Sequence, residues 1–215
     1  CRVHEACREG KYTSVLVQTH DKKYVEYRTE HFVNALGSGA GKLCDSMGID
    51  AGLYPVRHQA FITRRLPMLG KHGTNLDMLI DRQDYKGFSA VYGQQIAYTG
   101  QIIGCPSPKL DAMRIDKNLK VNTKAFLEIV SEMFSEWIPD LAGVGIQAVW
   151  AGYYTEPRYI VDPELGLFVG MRGHGFMLSQ YIARMYVDKL LGRPVPEYFE
   201  KLKLNGPGLS EKAFK

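Results

Sequence analysis

Apolar positions come in short runs through the first third of the chain, and those runs predict strands. Cys1 to Ala6 reads as the end of an extended segment. After the turn residue Gly10, Tyr12, Val15, Leu16 and Val17 predict a strand. Asp21-Lys22-Lys23 is a polar hairpin tip, and Tyr24, Val25 and Tyr27 return as the next strand. His31 to Leu36 predicts a third, which stops at Gly37-Ser38-Gly39-Ala40-Gly41. Leu43 to Met47 follows as a short helix closed by Gly48.

The pattern changes at Leu53. Tyr54 to Thr63, Met78 to Asp81, Phe88 to Tyr92 and Gly100 to Cys105 read as strands at hairpin-like intervals. Lys71-His72-Gly73, Arg82 to Gly87 and Gly93 to Thr99 separate them as turns, so the region predicts an antiparallel sheet. Pro106 to Asn118 lacks periodicity and reads as a loop. Asn122 is a helix cap, and Phe126, Ile129, Val130, Met133, Phe134 and Trp137 recur at helical spacing up to Pro139. The broad apolar face of that helix (about 122–138) is core packing against the sheet. Gly145 to Trp150 is a further strand, and Tyr153 to Val161 is an aromatic stretch carrying Arg158.

The stretch GLFVGMRGHGFML, Gly166 to Leu178, stands out. Leu167 to Val169 is a strand, four glycines fall within ten residues, and a helix starts at once. Leu178, Tyr181, Ile182, Met185 and Tyr186 share one face of that helix, which runs to Leu191, with Gly192 as its cap. A strand, a glycine turn and a helix aim free N–H groups and a positive dipole end at an electron-rich ligand. The same pattern also serves as a tight turn with no ligand. Beyond Pro194 and Pro196 the tail is polar.

Composition changes little. The 215 residues are 45% hydrophobic and 23% charged, which bounds the chain to one large or two small globular domains. A net charge of +4 with scattered positive residues does not support a nucleic-acid partner. The four cysteines, Cys1, Cys7, Cys44 and Cys105, lack metal-ligand spacing and fit a reducing, cytoplasmic setting. No apolar run is long enough to cross a membrane, and no metal site is expected. GSGAG is not a dinucleotide fingerprint, because neither a βαβ unit nor a suitably spaced acidic residue accompanies it.

Three motifs in order carry a resemblance spanning about residues 10 to 192. The first is Asn34-Ala35-Leu36-Gly37, a short helix, then Pro55-Val56-Arg57-His58-Gln59; the second is VWAGYY; the third is GLFVGMRGHGFML. Together they resemble the D-amino-acid-oxidase-like FAD-dependent oxidoreductases, the group of glycine oxidase, sarcosine oxidase and flavin-linked proline dehydrogenase subunits. The fold that the resemblance implies is α/β (α+β). It is the C-terminal part of an FAD-binding Rossmann-like domain with an inserted antiparallel-sheet substrate domain. Residues 1–50 and 151–192 would belong to the FAD-binding part, 51–150 to the substrate domain and 193–215 to a tail. The family's opening Gly-x-Gly-x-x-Gly unit has no counterpart here. The resemblance therefore implies a fragment, or a partner chain supplying that unit, and weak FAD binding by this chain alone.

The resemblance also assigns sites. Val3, Ala35, Leu36 and Gly37 would pass along non-covalent FAD, and Gly170, Arg172, Gly173, His174, Gly175, Phe176 and Met177 would line the isoalloxazine. A helix dipole there is worth at most about 2 kcal/mol, on the order of 40 mV for a two-electron couple. Tyr92, Tyr153, Tyr154 and Arg158 are candidates for a substrate carboxylate, and Arg57 is structural. His174 either braces the turn or acts in acid–base catalysis. Arg172 touches the flavin edge, touches the substrate, or is solvated. Met177 replaces the lysine of sarcosine-oxidase-like relatives. Glycine-oxidase-like relatives carry an arginine near Tyr154, whereas the nearest here is Arg158. Both departures point away from a simple α-amino acid. The implied activity is oxidation of an amine or amino acid by hydride transfer to flavin. The alternative is a non-catalytic or electron-transfer subunit.

Overall fold

Three strands open the chain, β1 (Arg2–Glu9), β2 (Tyr12–Gln18) and β3 (Tyr24–Thr29), and α1 (Ala40–Ser46) follows. Then come β4 (Tyr54–Thr63), β5 (Leu79–Asp81), β6 (Phe88–Gln95), β7 (Ile102–Pro108) and α2 (Thr123–Trp137). The chain closes with β8 (Ile146–Glu156), β9 (Ile160–Asp162), β10 (Leu167–Val169) and α3 (Gly175–Leu190). The computed structural model describes residues 1–70, 73, 75–84, 87–108 and 123–208. Asn122, most of the expected loop to Asn118, and Lys71 and His72 of the expected turn lie outside them. The fold is mixed α+β and divides into two units: Cys1–Pro55 with the chain from Tyr154 onward, and Val56–Tyr153.

In the first unit β1, β2 and β3 form an antiparallel meander in that order. The left-handed Lys22, φ 63°, turns β2 into β3. Ala6 and Val15, paired across β1 and β2, bury their side chains on Leu43 of α1. Gly48, φ 69°, follows α1 where the helix must stop.

The expected strand from His31 to Leu36 is not formed. The segment makes a single parallel bridge, Asn34 to Leu167. Asn34 N–H donates to Gly166 O at 2.7 Å, and Phe168 N–H donates to Asn34 O at 3.0 Å. The side chain of Asn34 then ends the extended run. Its Oδ1 accepts from Leu36 N–H at 3.3 Å and its Nδ2 donates to Ala40 O at 3.0 Å, which folds the chain into a 3-10 turn over Gly37–Gly39. This is an asparagine outcompeting the ladder for its own backbone.

β9 and β10 pair antiparallel, and Ile160, Val161, Leu167 and Val169 are almost fully buried there. α3 buries Ile182, Met185 and Tyr186. Tyr181, expected on that face, is 55% exposed. At 3.6 residues per turn it falls on the edge of the stripe, and its hydroxyl meets the Tyr198 hydroxyl at 2.9 Å. Gly192, φ 69°, ends the helix as expected. The tail is not merely polar: a 3-10 helix over Glu197–Leu202 plants Phe199 and Leu202 in the core with Val161 and Tyr186.

The second unit is a sheet in the order β5-β6-β7-β4-β8, with α2 packed on it. Phe126, Ile129, Val130, Met133 and Phe134 of α2 are buried, and Phe61 of β4 meets Phe126 and Phe134 edge-on at centroid distances of 6.0 and 5.7 Å. Each such side chain removed from water contributes about 2 kcal/mol. Gly104 of β7 makes room for this packing, since a Cβ there would lie 2.6 Å from the Phe61 ring. β7 continues through Pro106 to Pro108, beyond the expected strand end at Cys105, and β8 runs on past Trp150 to Glu156.

Candidate functional site

β10 enters the glycine turn through Gly170, whose φ is 71°. A Cβ on Gly170 would sit 1.9 Å from the main-chain oxygen of Arg158, so the two backbones touch. The chain then makes a 3-10 turn over Arg172–His174, with Arg172 left-handed at φ 49°, and α3 begins at Gly175. No side chain caps α3 and no acidic residue stands in its first turn. The helix start therefore keeps its positive end. Large apolar side chains surround it: Phe176 is 98% exposed and Met177 67%.

Two side-chain pairs hold this turn. The Arg172 Nε donates to Glu156 Oε2 at 2.5 Å. Burial raises the Glu156 carboxyl above its ordinary range, and the Arg172 charge opposes the shift. Arg172 is thus ion-paired rather than solvated. The Tyr159 hydroxyl lies 2.6 Å from His174 Nδ1, and burial raises the Tyr159 phenol so that it keeps its proton at neutral pH. Tyr154 lies against Gly173, where a Cβ would approach its ring to 2.6 Å. That glycine is needed for space rather than for its dihedral angles.

The other expected site residues are distributed differently. Arg158 donates to the main-chain oxygens of Gly206, at 2.8 Å, and Leu204, so its guanidinium fastens the tail. Tyr92 and Tyr153 belong to the second unit. Tyr92 hydrogen-bonds the Cys105 thiol, which burial pushes up to about 11. Glu156 and Tyr159 were not among the expected residues. Glu156 was accessible in principle, since it shares a strand face with Tyr154 two residues earlier.

A second group of expected residues gathers around Asn34. Ala35, Leu36 and Gly37 are exposed after the bridge, and Gly37 is left-handed at φ 54°. Leu36 and Val3 line an open cleft of roughly 220 Å³ together with Arg2, His4, Gly39 and Lys42. Buried Asn34 shapes this turn. Asn34→Ala is expected to cost about 2 kcal/mol by leaving buried main-chain groups unmatched, read as a lower urea midpoint with an unchanged slope.

The family model for FAD dependent oxidoreductase matches residues 1–189. The chain belongs to the FAD-dependent oxidoreductase family. Solved structures of similar fold include L-proline dehydrogenase from P.horikoshii, 25% identical with a TM-score of 0.68, covering 94% of this chain and 52% of that one. Glycine oxidase from Geobacillus kaustophilus is 17% identical with a TM-score of 0.69, covering 95% and 51%. Iminodiacetate oxidase from Chelativorans sp. BNC1 is 14% identical with a TM-score of 0.67, covering 95% and 53%. The chain thus spans about half the length of these relatives. No curated protein matches it by sequence.

The residues present fit the FAD of an FAD-dependent oxidoreductase. The uncapped start of α3 suits the electron-rich edge of a flavin, and exposed Phe176 and Met177 suit contact with an apolar ring. The Val3–Leu36 cleft offers apolar walls beside Arg2 and Lys42, a chemistry suited to an aromatic base next to phosphates. Among the described residues, no group of three His, Cys, Asp or Glu is placed to hold a metal ion. No described helix is long and apolar enough to cross a membrane.

Proposed function

We propose that this chain takes part in FAD-dependent oxidation of an amine or amino acid, contributing the isoalloxazine-contacting turn and the antiparallel sheet of the substrate domain. The observation that carries the reading is the β10–α3 turn. Its backbone is forced close by Gly170, its helix start is uncapped, and its Phe176 and Met177 stand open to a ligand. Bound FAD would supply the two-electron acceptor for a carbon next to nitrogen. In this reading Gly170, Arg172, Gly173, His174, Gly175, Phe176 and Met177 hold the ring, and Val3, Ala35, Leu36 and Gly37 hold the adenosine side.

FAD would be held non-covalently, and the Trp150 to Val161 stretch, which contains no cysteine, would form no cysteinyl link to it. The four cysteines are free, which supports a reducing cytoplasmic setting. We give Tyr154 the substrate contact from this unit. Arg158 is reassigned to positioning, because its guanidinium is engaged by the tail. Without that anchor, a substrate lacking a free α-carboxylate fits as well as an α-amino acid. The Gly-x-Gly-x-x-Gly unit that holds the FAD pyrophosphate would come from another segment or chain.

The test is to assemble the chain with such a unit, load FAD, and add amines and amino acids without oxygen. At least one is expected to bleach the flavin absorbance. Stable FAD that no amine, amino acid or 2-hydroxy acid bleaches would overturn the oxidase or dehydrogenase reading in favour of an electron-transfer role.

A further inference from the structure

The turn Arg172–His174 is gripped by the segment Glu156 to Tyr159. The grip on Arg172 is a charge pair. The grip on His174 is of another kind, because it decides which ring nitrogen carries the proton. A neutral imidazole has one N–H and one acceptor nitrogen, and the partner of one nitrogen selects the role of the other. Tyr159 is 8% exposed, and its hydroxyl is 2.6 Å from His174 Nδ1. A buried phenol that keeps its proton must place it on an acceptor. Among the described residues the hydroxyl meets only this nitrogen.

We propose that Tyr159 is a positioning residue that donates to His174 Nδ1 and so fixes His174 as an Nε2–H donor for the electron-rich ligand edge at the start of α3. His174 is itself exposed and precedes Gly175, the first residue of that helix. Its Nε2 has no protein partner among the described residues. The fixed N–H adds to the backbone N–H groups of the first turn, all of one sign, where negative charge gathers on a reduced flavin. A donor held in place stabilises developing charge more than one that must reorient. Tyr159 touches neither ligand nor substrate in this scheme. It acts through the histidine, as an outer partner fixes the tautomer of a ligating imidazole. The inference rests on the FAD reading above.

The experiment uses the chain assembled with a Gly-x-Gly-x-x-Gly unit and carrying ¹⁵N-labelled histidine, with and without FAD, at about pH 9, where an ordinary imidazole is neutral. The wild-type His174 ring is expected to show a protonated Nε2 and an unprotonated Nδ1 in both states. Tyr159→Phe keeps the buried ring and is expected to give a mixture of tautomers. In the FAD-loaded protein the same variant should bind reduced relative to oxidised FAD about five-fold less tightly, the loss of one hydrogen bond, equivalent to about 20 mV. Tyr186→Phe removes another buried hydroxyl of the same core and should change neither readout. A wild-type Nδ1–H tautomer overturns the proposal, as does an unchanged potential in Tyr159→Phe. An assembled protein that binds no FAD sinks the FAD reading itself and takes the ligand half of this proposal with it. A protein that binds FAD but carries the wrong tautomer sinks the proposal alone.

Discussion

Gly170→Ala is expected to destabilise its unit by about 4 kcal/mol or more, placing it among the exceptional single substitutions. Two costs combine. A left-handed backbone, φ 71°, costs an alanine about 1–2 kcal/mol. The larger cost is steric, because the new Cβ would lie 1.9 Å from the Arg158 main-chain oxygen. That oxygen cannot swing away cheaply. The next residues, Tyr159 and Ile160, are buried in the core and in β9, and the Arg158 guanidinium is tied to Leu204 and Gly206. Gly192→Ala is the matched comparison. Its φ is 69° and nothing lies within 4 Å of its added Cβ, so it should cost only the dihedral share. Urea unfolding of both variants separates the terms. Equal midpoint shifts would show that the close backbone approach is not what Gly170 is for. FAD affinity of any folded Gly170→Ala protein should fall as well, since the clash sits at the foot of the ligand-facing turn.

The contrast between these two glycines also shows what a sequence can and cannot disclose. Gly170 and Gly192 look alike in a string of letters, as turn residues flanking one helix. Only packing separates a glycine required by a neighbour from one required by its own dihedral angles. The helices and most strands were legible because their apolar periods are strong: α2 and α3 lie where the spacing of Phe126 to Trp137 and of Leu178 to Tyr186 puts them. The segment 31–36 has the composition of a strand, but whether it pairs depends on Asn34, whose amide turns the chain after one bridge. Phe199 and Leu202 were hidden for another reason. They sit among charged residues in a short stretch, and a 3-10 helix buries two side chains without leaving a long pattern. The glycine turn itself was legible as a ligand candidate. Its supports were not, because Glu156 and Tyr159 act through distances to residues 15 and 16 positions later, and no local spacing encodes that.

Arg172→Met is expected to be the second most damaging change, and its cost should depend on pH. At neutral pH it leaves the Glu156 carboxylate buried without its partner, a loss of about 3–5 kcal/mol for a buried pair broken on one side. Methionine keeps most of the side-chain volume and meets the same left-handed backbone, so the comparison isolates charge. The sign follows from the carboxyl. Burial already raises Glu156 above its ordinary 4.5, and Arg172 is what holds the rise back. A carboxyl raised in the folded state binds its proton more readily there than in the unfolded chain. Its favourable contribution is complete below the unfolded value of about 4.5 and fades as pH climbs through the folded one. Removing Arg172 lifts the folded value further and so deepens the loss at pH 7. The Arg172→Met deficit should therefore be largest near neutrality and shrink below about pH 4.5, where Glu156 enters the fold protonated. Glu156→Gln combined with Arg172→Met should recover part of the neutral-pH loss and flatten the profile, because no buried charge remains. Thermal unfolding of the single and double variants between pH 4 and pH 8 decides it. A deficit of the same size across that range would mean that Arg172 supports the turn by packing alone, with the ion pair contributing nothing.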